Sequence, residues 1–110
     1  MEAADSSGAV FGALADPTRR RLLAAIADRP AATATELASE LPISRQAVIK
    51  HLSALAEAGL LGRERTGREV HYRVTPAPLS DAVSWMAHVG GQWDDRLAAL
   101  GRQLGARTDL

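Results

Sequence analysis

Arg45, Lys50, Arg63, Arg65, Arg68 and Arg73 fall between residues 44 and 75, against only Glu57, Glu64 and Glu69. The stretches on either side are slightly acidic, so a formal net charge of zero conceals a basic middle. Guanidinium and ammonium groups gathered in this way bind anions; they do not by themselves make or break bonds. Bond-making chemistry has little to work with elsewhere. The chain has no cysteine, which removes thiol nucleophiles, thiolate metal sites and disulfides together. It has no glycine-rich phosphate loop, and His51, His71 and His88 lack a carboxylate partner at catalytic spacing. No enzymatic activity and no cofactor are expected.

The elements that must hold the basic segment are legible from local signals. Asp16-Pro17-Thr18 opens a helix that buries Leu22, Leu23 and Ile26 and ends near Asp28–Pro30. Ahead of it, Val10, Phe11 and Leu14 mark a short apolar helix starting after Ser6 or Ser7. Thr33 with Glu36 reads as a capping box for a short helix carrying Leu37, Ala38 and Leu41, stopped by Pro42. Ser44 caps the next helix, Arg45–Ala58, and Gly59 closes it. Two helices joined by so short a turn form a helix-turn-helix over residues 33–59.

Projected at about 100° per residue, the second of these helices gathers Val48, Leu52 and Leu55 on one side, with His51 at their border. Gln46, Ile49, Lys50, Ser53 and Glu57 take the other side, with Arg45 at its edge. An isoleucine among polar residues there suits a thymine methyl group in a major groove. Leu60–Arg65 and Arg68–Val74 then alternate as two strands joined at Thr66-Gly67, with Arg63, Arg65 and Arg68 around the tip. A helix-turn-helix followed by such a ribbon, residues 60–75, is a winged helix.

From Pro78 to about residue 105 the pattern is helical again. Leu79, Val83, Met86, Gly90, Trp93, Leu97, Leu100 and Leu104 form a heptad-like stripe, crossed by Gly90-Gly91 as a kink, a close helix crossing or a break. One small domain has too little surface to cover it, so pairing with a second copy is expected. The interface would use Val10 and Phe11 of the first helix with Leu79, Val83, Met86, Trp93, Leu97 and Leu100 of the last. The expected architecture is therefore mainly α with a small β-hairpin wing (α+β). It is a single domain over 1–110, with a core at 16–75 and a dimerisation helix at 78–105. At 110 residues and 46% apolar composition, one globular domain is what the length supports. The acidic start MEAADSSGAV lacks the features of a signal peptide, and no apolar run approaches a membrane span, so a cytoplasmic protein is expected.

Leu14-Ala15-Asp16-Pro17-Thr18-Arg19, Leu37-Ala38, Ser44 through Leu52, Leu55, and Glu57-Ala58-Gly59-Leu60 together resemble the ArsR/SmtB family of bacterial winged-helix repressors. Arg68, Tyr72 and Arg73 lie where that family has its basic, tyrosine-containing wing. The resemblance covers roughly residues 9–105. It implies a homodimer that binds double-stranded DNA as a repressor and lets go when a signal arrives. On that reading Ser44, Arg45, Gln46, Ile49, Lys50 and Ser53 enter a major groove, while Arg65 and Arg68 reach neighbouring phosphates. Gln46 and Lys50 are the expected base readers. Metal-sensing members carry a cysteine pair where Ala38 and Ser39 stand here, so no metal site is expected. An interchain site using His88 and a partner Asp, such as Asp94 or Asp95, is the metal-responsive alternative. A winged helix serving only as a protein-interaction module is the other. The inducer is unidentified, and a small apolar one would lie near Trp85, Val89 and Trp93.

Overall fold

Capping and turn chemistry set most of the boundaries in a computed structural model that describes residues 2–104, with side chains described from Gly8 to Arg102. The elements are α1 (Glu2–Leu14), α2 (Pro17–Ala27), β1 (Ala32–Thr33), α3 (Ala34–Glu40), α4 (Arg45–Glu57), β2 (Leu61–Thr66), β3 (Glu69–Val74) and α5 (Pro76–Leu104). The architecture is mostly helical with one small antiparallel sheet, as expected. Asp16 accepts hydrogen bonds from the Thr18 and Arg19 amides at 2.7 and 3.2 Å at the start of α2. Thr33 and Glu36 complete the reciprocal capping box of α3, and Ser44 accepts from the Ala47 amide at 3.1 Å at the start of α4. Gly59, at φ +84°, ends α4, and the Leu60 amide returns to the Leu55 carbonyl at 3.0 Å. That pairing consumes carbonyls the helix would otherwise leave bare.

Four features differ from the expectation. First, α1 starts at Glu2 rather than after Ser6 or Ser7, Glu2, Ala3 and Ala4 being good helix formers. Second, the hairpin turn is one residue further on. Thr66 pairs with Glu69, so Gly67 and Arg68 form the two-residue loop, with Gly67 at φ +64°. Glycine at the first loop position suits a hairpin turn of this kind, and it puts Arg68 at the tip instead of in the strand. Third, Ala32 and Thr33 form a short strand against Tyr72 and His71, which gives the sheet the order β1-β3-β2. Fourth, α5 runs unbroken through Gly90-Gly91. The cost of about 1 kcal/mol per glycine is small beside the many backbone bonds of a helix this long.

The core draws on α1, α2, α3, α4 and the sheet. Leu22, Ile26, Leu37, Val48, Leu52, Leu55 and Leu60 are fully buried, joined by Tyr72 of β3 and Ala82 of α5. Val10 is 1% exposed, so the protomer's own core already occupies it and it offers no surface to a second copy. The helices are also tied end to end. Arg19 and Arg20 donate to the Ala13 and Leu14 carbonyls, closing the α1 C-terminus onto α2. Arg29 makes a two-pronged pair with Glu40, linking the end of α2 to the end of α3. The molecule measures 65 × 33 × 21 Å with a radius of gyration of 19.0 Å. A compact chain of this length would have about 13 Å. The excess comes from α5, which at about 1.5 Å per residue is roughly 43 Å long and runs past the body. No helix among the described residues is long and apolar enough to cross a membrane.

Leu52→Ala should destabilise the fold by about 2–5 kcal/mol, read from urea unfolding, because truncating a fully buried leucine removes its packing and leaves a cavity. A loss below about 1 kcal/mol would show that α4 is not packed as described. A pH dependence follows from two carboxyls. The Arg29 side chain beside Glu40 holds that carboxyl below its ordinary range, and the Arg19 amide does the same for Asp16. Stability from a depressed carboxyl is fully present above the ordinary carboxylate range and is lost as the pH falls through the lowered folded value. The urea midpoint should drop as the pH falls below the ordinary carboxylate range, and Glu40→Gln should flatten that fall. An unchanged slope in the variant would show that the pair contributes nothing.

Candidate nucleic-acid interface

Burying Val48, Leu52 and Leu55 turns the opposite side of α4 to solvent. Ser44, Arg45, Gln46 and Lys50 are exposed there, one turn apart or less at the start of the helix, and Ser53 is half-exposed one turn beyond. The Ser44 oxygen accepts from the Ala47 amide, which leaves its hydroxyl proton to donate outward. Helix N-terminal amides add a partial positive charge at the same end, so this tip suits a phosphate. Ile49 lies differently from its place in the helical projection. It is half-buried against the core and lines a cleft toward the sheet, because the wing folds over that flank of α4.

The strand register sorts the wing charges. Leu61, Arg63 and Arg65 pair with Val74, Tyr72 and Val70, so these arginines share the face that carries the core-facing residues of β3. The other face holds Gly62, Glu64, Arg73, His71 and Glu69. There Arg73 lies across Gly62, within 3.3 Å of where a Cβ would be, and reaches Glu64 at 4.0 Å. His71 Nε2 is 3.3 Å from Glu69. One face is thus unmixed in charge and the other carries paired opposite charges.

Between α4 and the wing is a cleft of about 290 Å³, with Arg45 and Ile49 on one wall and Arg65, Arg68 and Tyr72 on the other. Arg45 is turned toward it, its Nε donating to Thr35 Oγ1 of α3 at 3.0 Å. Two of the side chains expected to read bases, Gln46 and Lys50, stay outside this cleft. The sequence reading missed the cleft and the Thr35 contact, since nothing in the spacing of residues 35 and 45 announces either.

The last helix carries the remaining expected residues. Val83, Met86, Trp93, Leu97 and Leu100 are 47–60% exposed, whereas Leu79 packs partly on the core. Leu104 lies outside the described side chains. Phe11 meets Trp85 with ring centroids 5.6 Å apart, and the Arg96 guanidinium lies 5.2 Å from the Trp93 ring. The indoles of Trp85 and Trp93 are therefore exposed surface within one chain. His88 is near Gln92 at 3.4 Å. Among the described residues no three of His, Asp or Glu gather closely enough to hold a metal ion. Ala38 and Ser39 supply no soft ligand either.

Comparison with known proteins agrees with this geometry. A family described as a helix-turn-helix domain matches residues 14–63. The chain is 31% identical over 88 residues to the transcriptional repressor SdpR of Bacillus subtilis, covering 80% of this chain and 97% of that protein. It is 38% identical over 77 residues to the regulator CmtR of Mycobacterium tuberculosis, covering 70% of this chain and 64% of CmtR. Among solved structures, an ArsR-like transcriptional regulator from Rhodococcus sp. RHA1 superposes with a TM-score of 0.78 at 37% identity, covering 96% of this chain and 97% of that one. A homodimeric winged helix-turn-helix DNA-binding domain from Mycobacterium bovis, 24% identical, shares the fold with a TM-score of 0.62, over 86% of this chain and 83% of that one. With near-complete coverage of a repressor and of a solved relative, and a basic wing beside an exposed helix start, the chain belongs to the ArsR family of winged helix-turn-helix transcriptional regulators.

Proposed function

We propose that this regulator is a cytoplasmic homodimeric repressor that binds an inverted-repeat operator in double-stranded DNA and is released by a signal not yet identified. The observation that carries this reading is the exposed row at the start of α4. Gln46 and Lys50 are exposed, as are Ser44 at the helix tip and Arg65 and Arg68 on the wing. Gln46 suits adenine and Lys50 suits guanine, while the serine and the wing arginines suit phosphates. Pairing through α5 is supported by the exposed stripe from Val83 to Leu100, with Phe11 and Trp85 at its edge. Two-fold pairing would set the operator half-sites about 34–36 Å apart, one turn of the duplex.

The test is a titration onto DNA from upstream of the protein's own gene, beside a scrambled duplex, at two salt concentrations. The operator should bind tighter by a factor of about 10³ or more, with affinity falling steeply in salt. Lys50→Ala should cost about 1–3 kcal/mol on the operator and far less on the scrambled duplex. Equal losses on both would remove Lys50 from base reading. Equal weak binding of the unaltered protein to every upstream duplex would favour a protein-interaction role instead.

Assembly is read separately. In sedimentation velocity the protein should run as a dimer at micromolar concentration, and Leu97→Arg should shift it to monomer with its helical circular dichroism kept. A monomer in the unaltered protein would overturn the pairing.

A further inference from the structure

We infer that the cleft between α4 and the wing is a clamp for one DNA phosphate, in which Arg45 holds the backbone and does not read a base, with Thr35 of α3 as its positioning residue. This rests on the DNA-binding reading above and assigns roles within it.

Three guanidinium groups, those of Arg45, Arg65 and Arg68, line the cleft, and they come from three separate elements: the start of α4, strand β2 and the hairpin turn. The one carboxylate on its rim is Glu69, which has His71 Nε2 at 3.3 Å. The lining is therefore strongly cationic. Apolar side chains of Ala34, Ile49, Val70 and Tyr72 line the rest of the cleft, between the three charged groups. A guanine edge has two acceptors and is filled by one arginine, whereas a phosphate has oxygens enough for all three guanidinium groups.

Arg45 is committed to this cleft by its contact with Thr35. The Nε–H is used at 3.0 Å on Thr35 Oγ1, so the N–H donors of the two terminal nitrogens remain for a ligand. Swinging the side chain out to join Gln46 and Lys50 would sacrifice that bond. Thr35 itself is firmly placed. It sits in the first turn of α3, two residues after Thr33, whose backbone pairs with His71 of β3 and whose hydroxyl caps the helix. The same short strand thus fixes α3 relative to the wing, so both walls of the clamp are held in register before DNA arrives.

The experiment uses the full chain, with operator and scrambled duplexes titrated by fluorescence anisotropy at four or more salt concentrations. Arg45→Gln should weaken both duplexes by the same factor, about tenfold. It should also lower the slope of log affinity against log salt, by less than the roughly 0.9 of a whole phosphate because two other arginines still face it. Arg68→Gln should do the same from the other wall. Thr35→Val should give a smaller loss common to both duplexes, and Thr35→Ser should restore the unaltered protein's affinity. All four positions changed are exposed, and circular dichroism checks that each variant folds. Gln46→Ala serves as the contrast, relaxing discrimination at one base pair with the salt slope unchanged. If Arg45→Gln instead relaxes discrimination at a single base pair and leaves the slope intact, Arg45 reads a base and the clamp is overturned. If Thr35→Val has no effect, Thr35 does not position it. If the unaltered protein fails to prefer its operator, the repressor reading falls, while the clamp is still judged by the salt slope common to both duplexes.

Discussion

Val48, Leu52 and Leu55 have no solvent exposure, and the sealing of that one side of α4 is what the interface depends on. Each such side chain contributes about 1.5–3 kcal/mol on leaving water, so the helix cannot rotate without giving up several of them at once. Rotation being barred, the polar residues at the start of α4 have a fixed outward direction. The Ser44 cap and the Gly59 stop define the two ends of the same helix. The exposure of Gln46 and Lys50 is thus a consequence of hydrophobic packing on the far side of the helix.

The wing depends on that packing through Tyr72. Its ring belongs to the core, and its backbone pairs with Ala32 on one side and Arg63 on the other. Placing Tyr72 inward therefore decides which face every other wing residue takes, since neighbours along a strand alternate. Arg63 and Arg65 fall on the face shared with Tyr72, and the ion-paired residues Glu64 and Arg73 fall on the other. The segregation of unpaired from paired charge follows from one buried aromatic and the period of two.

The last helix belongs to a different balance. Ala82 packs into the core, and Phe11 of α1 meets Trp85. Beyond that point the helix carries Met86, Trp93, Leu97 and Leu100, each about half-exposed. Water is a poor environment for so continuous an apolar surface. The Gly90-Gly91 pair leaves open space on that helix, with no atom within 4 Å of where either Cβ would be.

What the sequence determined by itself was set within about four residues, though not the start of α1 or the exact hairpin turn. The caps at Asp16, Thr33 and Ser44, the stop at Gly59 and the alternation of Val70, Tyr72 and Val74 are local chemistry, and each appears in the fold. The resemblance in order and spacing of the helix-turn-helix segments rests on that same chemistry. Tertiary structure alone decided the rest. Strand β1 is two residues long and exists only because β3 lies beside it. Val10 is core because α1 folds onto α2, and Ile49 lines a cleft because the wing closes over it. The Arg29–Glu40 and Arg45–Thr35 contacts join residues ten or eleven apart on different elements. No periodicity encodes such pairs. They form when separately folded elements are brought together by burial of their apolar sides, and the cleft that their meeting creates belongs to none of them singly.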